Sequence, residues 1–509
     1  MHDPRLPPIV QTAFLRSLGL IPRNESFPGG MIFFIGENSF RAGESALRGK
    51  AVVLGPPPPA MLPGLGIRKD RGLPLLEGSD ACAPAQGERP YTESPAFLAY
   101  AEHELAAGVS SSLRRRPFTR FDYSDEWNNL GFGRVRADGS IWAAHGGFVT
   151  EGAAQLAGIF TRTPAGDQYC GAYLTLFDSP EASLLWCSRP VGPLDSTEWT
   201  VIERFVCDWR AEDMPCLPCL RQIPAPCRCL VTMRLDCDED VASARDLFEW
   251  YRKEGIPFSL AVKSSLELGA SDLALLEAAR AAGGTLLSHS HAHQPDWGAT
   301  PEEAQKDAQT SRNRFAGLWP SFPPPDLAVS PFHTNPPYAV QAMARAGFTG
   351  FVSGIIHNDP EYLLGRAGTV PFAGGRMVSI SQQSMLHGDC RRRQGEGMEV
   401  HIAAFEAQYV ARGIFGYLDH PFSERYQYDW ESRQQRLQAH QRLVAAMRRY
   451  QGVWFWSQQQ CFDFVRARAA VRLRVTPGGR VAVLAVPERR DIAYRYKGQE
   501  YALSEVEPG

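Results

Sequence analysis

Two short clusters in this 509-residue chain carry side chains whose types and spacing point to metal chemistry. Ser288-His-Ser-His-Ala-His-Gln-Pro295 places three alternating histidines within five residues, in a chain with only 12 histidines. Imidazole is the commonest side-chain ligand for zinc and related cations, and core packing is a poor explanation for such a grouping. His289 and His293 stand four apart, a spacing that puts both on one side of a single helical turn. The second cluster is Thr232-Met-Arg-Leu-Asp-Cys-Asp-Glu-Asp240. Along a strand, side chains two apart share a face, so Arg234, Asp236 and Asp238 point the same way. Two neighbouring buried carboxylates are costly unless a cation or a proton intervenes. A metal would remove that cost; for this segment by itself, a solvated acidic loop after a strand is an equal alternative. Asp238 with His289 and His293 would give three protein ligands and leave a position for water, as a catalytic site requires. Zinc is the first choice for such a set, with iron, cobalt or nickel also suited.

These residues need elements to carry them. From residue 227 to 468 the sequence alternates regularly: strand 230–235, helix 241–253, strand 258–262, helix 271–282, strand 285–288. Strands alternating with helices of this length imply an α/β fold with a parallel sheet or barrel, whose chemistry gathers at the carboxyl ends of the strands. Both clusters sit at such ends. Residues 1–226 read as a mixed α/β domain of unknown role, with a strand at 50–54. Segments 132–135 and 141–144 flank Asp138-Gly139 as a hairpin, and capping residues at 195–198 precede a helix over 199–209. Residues 469–509 read as a small all-β appendage, a hairpin of 471–475 with 481–486 followed by strands on either side of Lys497-Gly498.

Taken together, the clusters resemble the NodB-homology polysaccharide deacetylases, carbohydrate esterase family four. Members carry an aspartate pair closing an early strand and a downstream His-Ser/Thr-x-x-His motif. Asp236-Cys-Asp238 and His289-Ser-His-Ala-His293 match these, in the Asp-x-Asp form found in a subset of the family. The resemblance implies that Asp236 is the general base and that Asp238, His289 and His293 hold the metal. Leu418-Asp-His420, closing a strand at 414–418, resembles the motif that supplies the general acid, His420, which Asp419 or a neighbouring carboxylate would keep protonated. One motif departs: Val329-Ser-Pro-Phe-His-Thr-Asn-Pro-Pro-Tyr338, ahead of a helix over 339–346, lacks the family's arginine, and Ser330 stands near its place. That arginine steadies the catalytic aspartate; Arg234, on the same strand face as Asp236, is the candidate replacement. His333 and Tyr338 are further supporting or substrate-binding candidates. The resemblance covers about residues 230–468. It implies a deformed (β/α) barrel of the polysaccharide deacetylase type and a hydrolase releasing acetate from an N-acetylated sugar or oligosaccharide. It also implies a role in making surface polysaccharide or lipopolysaccharide, and the lack of a secretory pattern adds the expectation of a cytoplasmic precursor: a nucleotide sugar, a lipid-linked sugar or an oligosaccharide unit.

Composition narrows the field. Apolar residues make up 44% and charged residues 21%, as in average soluble globular proteins. A formal net charge of −3 argues against a nucleic-acid binder. The basic runs 114–116 and 391–393 read as solvated loops, with contact to an anionic substrate group as the alternative. No stretch has the roughly 18 apolar residues of a membrane span. The first thirty residues lack a secretory pattern, and 11 scattered cysteines fit reduced thiols, so a cytoplasmic location is expected. Cys216, Cys219, Cys227 and Cys229 raise the question of a structural zinc, but their short gap and final Cys-x-Cys favour ordinary thiols. Two rival functions stay open. One is another metal-dependent amidohydrolase on a (β/α)8 barrel, using His291 in a His-x-His pair; the other is a carbohydrate-binding protein that kept the fold and lost the chemistry.

Overall fold

The strand Cys229–Cys237 (β1) is buried along its whole length, and its two faces differ in kind. Cys229, Val231, Met233, Leu235 and Cys237 enter an apolar cluster with Leu247, Phe248 and Tyr251 of one helix and Leu443 and Met447 of another. The alternate face carries Thr232, Arg234 and Asp236, all at most 1% exposed. The period of two thus separates a packing side from a polar side within one strand.

The computed structural model describes residues 6–19, 26–27, 30–36, 48–74, 96–111, 114–117, 144–193, 197–318, 323–333, 335–355, 366–370, 373–375, 377–388, 398–424, 427–485, 489 and 491–503. The hairpin expected around Asp138-Gly139 and the basic run 391–393 lie outside the described residues. Internal contacts divide the chain into two units. One comprises Pro226–Glu361 and Ala367–Ala467, the other Met1–Ala225, Tyr362–Arg366 and Arg468–Gly509.

In the unit that carries both clusters, β1 is followed by α1 (Arg245–Lys253), β2 (Ser259–Val262), α2 (Ala270–Ala281), β3 (Leu286–Ser288), α3 (Pro301–Leu318), β4 (Leu327–Val329), α4 (Pro337–Arg345) and β5 (Gly350–Ile355). Then come β6 (Gly368–Thr369), β7 (Val378–Gln382), β8 (Ser384–Met385), α5 (Glu399–Ala411), β9 (Ile414–Asp419), α6 (Arg433–Met447) and β10 (Val453–Trp456). They form a ten-stranded sheet in the order β6-β7-β5-β4-β3-β2-β1-β9-β8, with β10 also paired to β1. Every pairing is parallel except β6 with β7. The barrel expected for residues 227–468 is realised as this curled sheet. Its two flanks share one run of chain: residues 378–382 pair with β5, and 384–385 pair with β9. β1 uses both edges, with β9 along one and β10 then β2 along the other, so its carboxyl end is fixed from two sides.

Gly284, in the turn between α2 and β3, shows how closely the layers approach. A Cβ there would lie 2.0 Å from the carbonyl oxygen of Phe258.

The other unit contains an eight-stranded sheet ordered Ser26–Phe27, Gly30–Ile35, Gly49–Leu54, Ala182–Cys187, Gly166–Asp178, Ala154–Thr163, Ala96–Tyr100 and Arg115–Pro117. The helix expected over 199–209 forms at Trp199–Cys207, without a side-chain cap at Glu198, and buries Trp199, Val201, Ile202, Phe205 and Val206. Arg114 and Arg115 of the first basic run pair with Glu102 and Asp167 at the surface. The tail does not stand apart as an appendage. Ala493–Tyr496 pairs antiparallel with Cys219–Leu220 as well as with Gln499–Ala502, while Arg472–Val475 and Val481–Ala485 make a ladder of their own. Among the described residues, no helix is long and apolar enough to cross a membrane.

Replacing Gly284 with alanine should overpack that turn and cost about 1–3 kcal/mol. Denaturant unfolding of the variant reads this directly; an unchanged midpoint would show that the turn relaxes freely.

Candidate metal centre

The polar groups meet at the carboxyl ends of the parallel strands, as such sheets dictate. Asp238 stands one residue beyond β1, His289 one residue beyond β3, and His293 in the loop that follows. That loop is not the helical turn expected from the spacing. Ser290 and His293 take left-handed backbone angles, φ 62° and 52°. Side-chain acceptors hold the bend: Ser290 Oγ accepts the His293 N–H at 2.9 Å, and the Asp307 carboxylate, from α3, accepts the N–H groups of His291 and Ala292 at 2.9 and 2.7 Å.

The rings are oriented as ligands. His289 Nδ1–H donates to the Val329 carbonyl at 3.2 Å, so in the neutral ring Nε2 is the nitrogen that carries the lone pair. That Nε2 is 3.1 Å from His293 Nε2 and 3.1 Å from Asp238 Oδ1, and His293 Nε2 is 3.4 Å from the same oxygen. Asp238 Oδ1 is sealed from solvent yet accepts no hydrogen bond. Burial would raise the Asp238 carboxyl, but the close imidazole of His289 and the charges of His420 and His293 hold it well below the usual carboxylate range. Burial and the charge of His289 push His293 down to about 4, while Asp236 and Asp238 outweigh burial and raise His289. One anionic oxygen and two imidazole nitrogens within 4.8 Å of one another make a donor set that a divalent cation fits. Among the described residues this is the one such grouping.

Asp236 is held differently. Arg234 Nε and Nη2 donate to its two oxygens at 2.7 and 3.1 Å, with both side chains 1% exposed. Arg234 Nη1 donates to Gln382 Oε1, and Gln382 Nε2 donates to the Ser384 carbonyl at 3.2 Å. Burial raises the Asp236 carboxyl, but Arg234 and His289 bring it below its ordinary value, so it stays ionised. Ser330, where the arginine is missing, is fully buried with no hydrogen-bond partner for its hydroxyl.

His420 lies against the same group, with Nε2 3.7 Å from Asp238 Oδ2 and Nδ1 buried without a partner. Asp419 does not pair with this ring. Its carboxylate accepts from His440 Nε2 at 3.0 Å, from the backbone N–H of His420 at 2.7 Å and from Trp430 Nε1 at 3.4 Å. Alternation explains the difference: Asp419 shares a strand face with the core residues Phe415 and Tyr417, and His420 takes the opposite one. Burial lowers the pKa of His420 despite Asp238, Asp236 and Asp419.

The remaining candidates disperse. His291 turns to Ser264 Oγ at 3.0 Å and leaves the ligand group, so no His-x-His pair assembles. Tyr338 donates to the Asp296 carbonyl at 2.7 Å and makes no bond to the ligand residues. His333 closes the turn Pro331–His333, and its side chain lies outside the described residues. The four cysteines do not gather: Cys216 lies 3.2 Å from Lys50 Nζ, Cys219 donates to the Glu203 carbonyl and Cys227 to that of Gly452. Sequence reasoning missed Asp307, Gln382 and Tyr428, whose hydroxyl donates to Asp238 Oδ2 at 3.1 Å. No local motif marks them.

No protein-family model matches the chain. No curated protein matches it either. Among solved structures, a family 4 carbohydrate esterase from Streptomyces lividans, in complex with acetate, aligns at 14% identity and a TM-score of 0.30, over 52% of this chain and 100% of that one. A family 4 acetyl xylan esterase from Clostridium thermocellum, in complex with a cobalt ion, aligns at 12% identity and 0.31, over 46% and 91%. A chitin deacetylase from Colletotrichum lindemuthianum aligns at 12% and 0.28, over 44% and 84%. The likeness is to polysaccharide deacetylases and family 4 carbohydrate esterases. At such scores it says nothing about the chemistry, which rests on the side chains themselves.

Two outcomes are expected. Asp307→Ala should release the bend between His289 and His293 and weaken zinc binding about 10- to 100-fold, as measured by competition with a chelating dye. Arg234→Leu should strand the buried Asp236 carboxylate and cost about 3–5 kcal/mol in denaturant unfolding, a loss that Arg234→Leu/Asp236→Asn should largely recover.

Proposed function

We propose that this protein is a metal-dependent hydrolase that removes the acetyl group from an N-acetylated sugar or oligosaccharide. The observation that carries the reading is the buried, unbonded Oδ1 of Asp238 facing Nε2 of both His289 and His293. The sugar substrate rests on the motif resemblance of Asp236-Cys-Asp238, His289-Ser-His-Ala-His293 and Leu418-Asp-His420. A divalent cation held by Asp238, His289 and His293 would supply Lewis acidity and lower the pKa of water toward neutrality.

The chain's own residues divide the remaining work. Asp236 is the base: its carboxylate is kept ionised by Arg234 and takes the proton as water attacks the acetyl carbon. Arg234 occupies both oxygens of Asp236, which fixes the carboxylate plane in the absence of the family's arginine at Ser330. His420 is the acid that protonates the departing amine. Burial lowers its pKa, which makes the protonated ring a stronger donor, while Asp238, Asp236 and Asp419 act in the opposite direction. His291 holds the loop through Ser264 and takes no part in the reaction.

Purified protein with added zinc should release acetate from N-acetylated oligosaccharides, and a chelator should stop it. Asp236→Asn should lower kcat by about 10²–10⁴-fold while zinc still binds stoichiometrically, whereas His291→Ala should remain active. Undiminished turnover in Asp236→Asn would refute the assigned base, and loss of activity in His291→Ala would favour the rival amidohydrolase.

A further inference from the structure

Tyr428 and Asp429 form a turn in which neither residue is glycine, yet both have positive φ, 46° and 60°. L-residues seldom adopt this conformation, and surrounding structure must impose it. Here the surroundings are explicit. The Gly388 N–H donates to the Tyr428 carbonyl at 2.9 Å, and a Cβ at Gly388 would stand 1.9 Å from the Asp429 carbonyl oxygen, so only glycine lets the two segments approach. On the far side, Trp430 is buried, with its Nε1 3.4 Å from Asp419 Oδ1. His387 Nδ1 lies 3.4 Å from the Asp429 carboxylate.

The imposed turn delivers one side chain to two members of the site. The Tyr428 hydroxyl donates to Asp238 Oδ2 at 3.1 Å, the oxygen that does not face the two histidines. Its ring lies parallel to that of His420, with centroids 3.9 Å apart and an interplanar angle of 11°. We propose that Tyr428 is a positioning residue of the metal centre: its hydroxyl keeps Asp238 a ligand through one oxygen, and its ring fixes the plane of His420. The proposal rests on the metal-hydrolase reading above. A hydrogen bond on the second oxygen disfavours the swing that would bind the cation through both, so coordination positions stay open for water and substrate.

Tyr428→Phe keeps the ring and its stack and removes only the hydroxyl. Relative to wild type, it should bind cobalt(II) about tenfold more weakly, with an altered visible absorption from the changed carboxylate coordination. The unfolding midpoint of the metal-free protein should stay unchanged, which separates positioning from a structural role. Gly388→Ala, by displacing the turn, should reproduce the affinity loss. Equal cobalt affinity and an identical spectrum in wild type and Tyr428→Phe would overturn the proposal and leave the function intact. A wild-type protein that binds no cobalt would overturn the metal reading and the proposal together.

Discussion

Two negative charges at the tip of one buried strand govern the architecture around them. Asp236 near the end of β1 is buried and Asp238, just beyond it, is largely so, and a carboxylate in such a place must find positive charge or donors. The two are satisfied by separate means. Asp236 has a guanidinium from its own strand, two residues back, gripping both oxygens. Asp238 has one oxygen on a phenol and the other turned to a pair of imidazoles. The first arrangement is complete within the protein; the second leaves room for a cation. The proposed division between base and metal ligand rests on this asymmetry.

Much of the surrounding structure serves that separation. Gln382 orients the arginine, Val329 fixes the tautomer of His289, and Asp307 bends the loop that returns His293. Each comes from a different strand end or helix, so the site is only as well defined as the parallel register that aligns those ends. β1, flanked on both edges, is the reference for that register.

The parts legible in the sequence were those encoded by short-range pattern. Alternating strand and helix signals located the elements of residues 227–468, and period-two alternation put Arg234 and Asp236 on one face. Rare residue types in tight spacing located Asp238, His289 and His293. The misreadings also have physical causes. A spacing of four suggested a helical turn, but Ser290 adopts a left-handed conformation and the N–H groups go to side chains instead. Of the two partners the sequence offers for His420, Asp419 or a neighbouring carboxylate, the adjacent Asp419 lies on the opposite strand face and Asp238 is the carboxylate beside the ring. Tyr428, Asp307 and Gln382 were invisible because their importance arises only from where distant segments meet. A tyrosine followed by aspartate carries no sign of the left-handed turn that Gly388 makes possible.

The pairing of Ala493–Tyr496 with Cys219–Leu220 ties together stretches separated by the entire unit that carries Asp238, His289 and His293. Apart from residues 362–366, that unit is therefore a nested insertion, and its strands are synthesised before Cys219–Leu220 can receive this partner. During translation the inner unit can close while Cys219–Leu220 still waits for residues beyond 490. Contacts so distant along the chain are slow to form, so this small sheet, and not the eight-stranded one built from residues 26–187, should be the late step of folding.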